Sequence, residues 1–399
     1  MTILSGVLWL QVLLRGAWVH RGDGSLPFQG DVLIQGDSIA AIGATLPAQP
    51  GYTVIEARGH HVYPALIGLN TPVGLIEIEA VRATRDAAEV GTFTPEVVAY
   101  TAFNIDSRVL PTLRENGLLY VESVPEGGWI AGQSSILRLQ GRTREEALVL
   151  EKASLHFYPP SLRPWVYASY EDQKKALEKA RKAWEEIDRY LGEAARWCSG
   201  DSSEQNLRYR ALCPYLRGEK PVTWHVETAE DIRAAVALSQ KWHLRAAIAG
   251  GAEALAVASL LRQAQVPVLL TRTHRLPPAE DAPLAHSYTL PKALRDSGIT
   301  VMLGHESFWN QRNLSYNAGT AAAWGLSREE ALSLLTNLPA RWLGLNRLGR
   351  LAPGYKASLL LVEGDLLDIP SSRILRAWIE GQEVHLSDNP QRKLFEKYR

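Results

Sequence analysis

The residues with chemistry to offer stand where short apolar runs end. Asn70 and Thr71 follow Leu66-Ile67, and His225 closes the run VTWH. Arg272 and His274 come just after VPVLL (266–270), and His305 and Glu306 just after ITVML (299–303). Such short runs read as buried strands, and strand ends in large α/β proteins are where sites are built. An imidazole and a carboxylate are groups that hold a divalent metal or move a proton to and from water. Arg272 and His274 can bind an anionic group; a solvated loop is the other reading. His225 and Glu306 likewise have a structural reading, as hydrogen-bonded residues at strand ends. His60-His61 precedes this region and reads as surface. Glu122, Asp86, Glu89 and Asp106 receive no role from their spacing.

The elements that would position these residues change character along the chain. Residues 1–63 look all-β, with Val7–Leu14 as the first strand and Gly36-Asp37 splitting two short apolar runs as a tight hairpin would. From Pro64 to about residue 344, apolar runs alternate with amphipathic segments such as AEDIRAAVALSQKW (229–242). Strand–helix alternation of this length predicts a parallel sheet with crossover helices, and its total fits an eight-fold barrel better than an open sheet. Residues 171–196 form the clearest helix, with Ala180, Trp184, Ile187 and Leu191 at helical spacing and charges elsewhere. Its polarity marks a helical excursion from the barrel, at about residues 160–215. Residues 345–386 return to β texture, and the polar tail 387–399 is expected to lie loosely on the surface. Neither β segment buries enough alone, so residues 1–63 and 345–386 are expected to pair into one small sandwich.

Composition narrows the class. The 399 residues are 46% hydrophobic and 22% charged, ordinary for a globular protein. Lys+Arg and Asp+Glu both number 43, which gives no basic excess for nucleic acid. The opening MTILSGVLWLQVLL lacks a basic flank, and Gln11 and Arg15 break it short of a membrane span. The expectation is therefore a cytoplasmic protein with a small-molecule ligand, no nucleic-acid partner and no membrane contact. Cys198 and Cys213 imply no disulfide framework, though one bridge between them is conceivable. The twelve Trp leave room for an aromatic interface between copies of the chain.

Four segments in order, GDVLIQGDSIAAIG, HVYPALIG, GLSREEALSLLTNLPARWLGL and GRLAPGYKASLLLVEGD, resemble the amidohydrolase superfamily, nearest to imidazolonepropionase-like and dihydroorotase-like members. The resemblance implies an α/β fold: a (β/α)8 TIM-type barrel (64–344) plus a small β-sandwich from both chain ends. It also implies a metal-dependent hydrolase of carbon–nitrogen bonds, with zinc or another divalent metal as cofactor. In that family the first barrel strand ends in Asp-x-His-x-His. Here those positions hold Gly68, Asn70 and Pro72, so this half of the metal site is absent. His225 matches the fifth-strand His ligand, and Gly250-Gly251 stands where a sixth-strand His would be. Glu306 falls at the eighth-strand Asp position, beside His305.

What remains for a metal is His225 and Glu306, short of the three protein ligands a catalytic zinc site takes. Strand alternation places Thr223 with His225 inside, and Val222 and Trp224 toward the helices. The same alternation separates His305 from Glu306 and favours Glu306 for the interior. The expected function is hydrolysis of a cyclic amide or other non-peptide C–N bond at a reduced site. Glu306 would serve as base for water oriented by His225, with Asn70, Arg272 and His274 toward the substrate. The competing expectation is a catalytically inactive barrel, without metal, that binds a small molecule or a partner chain.

Overall fold

The computed structural model describes residues 11–200 and 205–399. The first strands are β1 (Gln11–Val19), β2 (Phe28–Gln35), β3 (Ser38–Gly43), β4 (Thr53–Glu56) and β5 (His61–Pro64). Of the strand expected at Val7–Leu14, residues 7–10 lie outside the described residues; the described part runs on to Val19. β1 and β2 pair antiparallel, as do β2 and β3. Gly36 turns between the latter two at a φ of +61°, the left-handed conformation a two-residue hairpin needs.

The middle of the chain supplies β6 (Leu66–Thr71), β7 (Leu118–Ser123), β8 (Ile130–Gln133), β9 (Ser135–Arg138), β10 (Leu148–Leu150) and β11 (Leu155–Phe157). After the helical excursion come β12 (Pro221–Val226), β13 (Arg245–Gly250), β14 (Val268–Leu270) and β15 (Val301–Leu303). The last strands are β16 (Leu359–Glu363), β17 (Arg373–Ile379) and β18 (Gln382–Glu383).

One sheet joins the two chain ends, in the order β18-β17-β16-β5-β1-β2-β3, with β4 also on β1. β5 and β16 are its antiparallel seam, pairing Tyr63 with Leu360 and Val62 with Leu361. Val12, Leu14, Ile34, Val62, Leu359 and Trp378 pack into a core of their own there.

The remaining strands form two sheets, β10-β9-β7-β6 and β15-β14-β13-β12-β11-β8. β6 and β7 are parallel, and β11 through β15 are parallel neighbours in sequence order. Two features connect the sheets. Ser134 is the single residue between β8 and β9, and a parallel bridge pairs Leu69 of β6 with Gly304 beyond β15.

Uninterrupted strand–helix alternation fails over the stretch from β7 to β11. β9 runs antiparallel to β7, and β8 antiparallel to β11. Residues 124–129 are too few for a crossover helix, so the chain turns back directly after β7.

The excursion contains helices Tyr170–Cys198 and Leu207–Leu216. Ser169 caps the first by accepting from the Asp172 backbone N–H, and Ala180, Trp184, Ile187 and Leu191 are its buried stripe. Cys198 and Cys213 are disulfide-bonded, joining the two helices. The C-terminal tail is not loose. Asn389 caps a helix at Pro390–Tyr398, and Asn389 and Arg392 both bond Glu115. Among the described residues, no helix is long and apolar enough to cross a membrane.

Candidate functional site

β7, β11 and β12 converge on a buried polar chain. Glu122 on β7, His156 on β11 and His225 on β12 sit near the C-terminal ends of their strands. Alternation on β12 explains the selection. Thr223 bonds Ser154 Oγ at 2.8 Å on the side that also carries His225. Trp224 points the other way, donating to Ser239 Oγ on the next helix at 2.9 Å and stacking near Trp184.

Glu122 is 2% exposed. It accepts from Ser134 Oγ at 2.8 Å and from the Asn70 backbone N–H at 3.2 Å. His156 Nε2 faces Glu122 Oε1 at 3.4 Å, a charge contact rather than a well-formed hydrogen bond. His156 Nδ1 lies 2.9 Å from His225 Nε2. Tyr158 stacks on the His225 ring with centroids 3.8 Å apart.

The proton arrangement follows from these contacts. Burial alone would raise the Glu122 carboxyl; hydrogen bonds and the charge of His156, with Ser134 and Asn70 N–H, outweigh it and hold the group below the usual carboxylate range. His225 is pushed well below an ordinary histidine by burial, then by His156. The His225 ring, kept neutral by burial, carries one proton, and on Nε2 that proton points at His156 Nδ1, 2.9 Å away. That leaves the lone pair of His225 Nδ1 free, and this nitrogen has no hydrogen-bond partner among the described residues.

The expected residues fall out differently. Glu306 is ion-paired with Arg272, and both are substantially exposed. Its partner is thus an arginine, and no bond joins it to His225. Strand alternation does not select Glu306 over His305, because β15 stops at Leu303 and both residues lie in the loop beyond. His305 N–H bonds Leu69 O, and its ring Nδ1 accepts from Ser307 N–H at 3.0 Å. His274 is tied to the helix Leu314–Ala323 through Thr320 Oγ1 at 2.6 Å and Asn317. Asn70 contributes its backbone to Glu122 from a left-handed φ of +58°, a conformation Asn tolerates better than most residues.

Sequence reasoning missed His156 and Glu126. His156 is the middle residue of LHF, a run too short to read as a strand. Glu126 sits in the turn after β7. Burial raises its carboxyl against the pull of Arg85, and Glu306 and Glu79 push it the same way.

An amidohydrolase family model matches residues 214–386. The fold is similar to that of an amidohydrolase from Thermotoga maritima MSB8, with a TM-score of 0.80 at 22% identity over 94% of this chain and 99% of that one. An adenine deaminase of Deinococcus radiodurans is 27% identical over 394 residues, 94% of this chain and 62% of its own. The amidohydrolase tasK of Hapsidospora irregularis is 22% identical, over 88% of this chain and 39% of its own. This chain is related to the amidohydrolases. It spans about two to three fifths of the length of these two curated relatives.

Amidohydrolases generally use divalent metals, and the residues here do not fit one. A Cβ on Gly68 would lie 2.7 Å from Gln311 Oε1 and from Leu118 Cδ2, so no carboxylate fits there without displacing them. Gln311 fills that space, donating to Leu69 O at 3.1 Å and to His305 O. His156 faces Glu122 with one nitrogen and His225 with the other. Among the described residues, no three His, Cys, Asp or Glu side chains converge to hold an ion.

Proposed function

We propose that the chain hydrolyses a non-peptide C–N bond, such as that of a cyclic amide, by general-base chemistry at His225. The buried Glu122–His156–His225 chain carries this reading. It is the arrangement by which an ionised carboxylate orients one imidazole and stabilises the positive charge that develops on the next. His225 Nδ1 takes a proton from water, whose oxygen attacks the electrophilic carbon. The C–N bond then breaks, and a carboxylic acid returns a proton to the departing nitrogen. Glu126, with its raised pKa, is our choice for that acid. Arg272, paired with Glu306 beyond β14, is positioned for an anionic substituent.

The reading takes residues 64–344 as a closed eight-fold barrel, and 1–63 with 345–386 as a sandwich. The Leu69–Gly304 bridge, the continuity through Ser134 and the β5–β16 seam support it. The test is an assay with chelator present, across lactams, hydantoins, dipeptides and, from the relatives' names, adenine. One class should turn over, at a rate falling at least about 100-fold in His225→Gln. Turnover that needs added metal, or that survives His225→Gln, rules the reading out.

The lost ligand positions Gly68, Asn70 and Pro72 favour a second reading, a catalytically silent amidohydrolase fold that binds a small molecule. Saturable binding without turnover across the same panel is its signature.

A further inference from the structure

A cleft of about 400 Å³ opens where the tail helix Pro390–Tyr398 meets the helices Leu110–Glu115 and Leu314–Ala323 and the start of β17. Its walls share no residue with the Glu122–His156–His225 chain. Its volume falls within the range of small-molecule sites. Three arginines line it, each from a different element. Arg312 lies in the turn before the helix Leu314–Ala323, Arg373 opens β17, and Arg392 stands on the tail helix. The fold, not local sequence, assembles this charge. One carboxylate lines the same cleft, Glu115, and it is already held by Arg392 and Asn389. Guanidinium groups stay charged in proteins. Three of them against one carboxylate leave the walls positive whatever the protonation of Glu115.

Two observations point to an anionic ligand. First, the arginines have donors to spare. Arg312 gives one N–H to Gln391 Oε1 at 3.1 Å, out of the five a guanidinium carries. Arg373 meets Glu363 only at 3.7 Å, beyond hydrogen-bond reach. Second, the hydroxyls of Ser315, Tyr316 and Ser372 line the cleft and have no hydrogen-bond partner among the described residues. Ser315 is only 2% exposed, yet its Oγ opens on the cleft rather than being sealed in the core. A hydroxyl so placed, and used by no protein group, calls for a partner in the cleft. Burial, then the charge of Asp368, raises the Tyr316 phenol, which keeps it a proton donor. Ile374 and Phe395 add an apolar wall beside these donors.

We propose that this cleft binds a small phosphate monoester, with Arg312, Arg373 and the three hydroxyls around the phosphoryl group and its organic body against Ile374 and Phe395. A phosphoryl group brings nearly two negative charges and three acceptor oxygens, which suits several donors on different elements better than the single charge of a carboxylate. Phenyl phosphate is the probe, read by isothermal titration calorimetry on the full chain at low ionic strength. Inorganic phosphate, benzoate and phenol are the comparisons. The expected result is saturable binding of phenyl phosphate, at least about tenfold weaker binding of inorganic phosphate and benzoate, and none of phenol. Arg373→Gln should weaken phenyl phosphate at least about tenfold. Phe395→Ala should bring it toward inorganic phosphate while leaving inorganic phosphate unchanged. Both side chains are mostly exposed, so neither change removes core packing. No saturable binding, equal affinity for benzoate or inorganic phosphate, or undiminished affinity in Arg373→Gln or Phe395→Ala each overturn the proposal. A loss in Arg272→Gln also overturns it, since the anion would then sit at the strand-end site. If a variant does not fold, the four-probe comparison on the native chain decides alone.

Discussion

A histidine held neutral behind a buried carboxylate has a definite pH signature. The folded-state pKa of His225 is depressed, so the unfolded chain takes up that proton first. Its contribution to stability is fully present above the unfolded value, about 6.5, and is lost as pH falls below it toward the folded value. Glu122, also depressed, contributes above the unfolded carboxylate value of about 4.3 and loses that contribution on further acidification. Urea unfolding at pH 7.5, 6.5 and 5.5 should show native stability falling with pH, and His225→Gln should flatten part of the fall. His61, His274 and His305 are also lowered by burial, so a residual slope of the same sign remains. Glu122→Gln at pH 7.5 should cost about 1–3 kcal/mol, because the Asn70 N–H, Ser134 and His156 lose a charged acceptor inside the fold. Unchanged urea midpoints would remove the Glu122–His156 contact from the account.

At the scale of elements, two turns approach so closely that one position admits only glycine. Gly381 joins β17 to β18 at a φ of +77°, and a Cβ there would lie 1.8 Å from Gly36 O in the β2–β3 turn. Gly381→Ala combines a left-handed backbone with a clash against main chain. It should destabilise by more than about 1 kcal/mol, read as a lowered Tm. The Cys198–Cys213 bridge closes a separation of 15 residues between two helices of the excursion. Chain entropy assigns a loop of that length roughly 3 kcal/mol, so dithiothreitol or Cys198→Ser should lower the unfolding midpoint of the native chain. A midpoint that ignores reductant would mean the two helices hold together by packing alone. A stable bridge also sits poorly with the cytoplasmic expectation, since disulfides persist in oxidising compartments.

Across the whole molecule, the amidohydrolase relationship and the failed metal fit pull in different directions. The donor set predicts that chain purified without a tag carries well below one divalent ion per copy by elemental analysis, and that dialysis against EDTA leaves Tm unchanged. A stoichiometric ion lost in His225→Ala would instead make His225 a metal ligand. The sheet uniting β1–β5 with β16–β18 ties the far ends of the chain together, and the tail helix is anchored through Glu115. Truncation at residue 386 should therefore destabilise the protein rather than remove an idle tail, a difference visible in thermal unfolding.

The sequence by itself determined what local chemistry and periodicity can specify. Apolar runs at strand spacing located β6, β12, β14 and β15, and period-two alternation put Thr223 and His225 on one side and Trp224 on the other. Residue identity alone showed that Gly68, Asn70 and Pro72 cannot supply the ligands that the family places there. Only the tertiary structure decided which side chains meet. Glu122, His156 and His225 are separated by 34 and 69 residues, and pairing across strands, not spacing along the chain, brings them together. The same is true of Glu306, which lies in the loop beyond β15 and pairs with Arg272 from the loop beyond β14. His61 read as surface from the sequence because its partners, His20 and, through it, Glu329, come from distant parts of the chain.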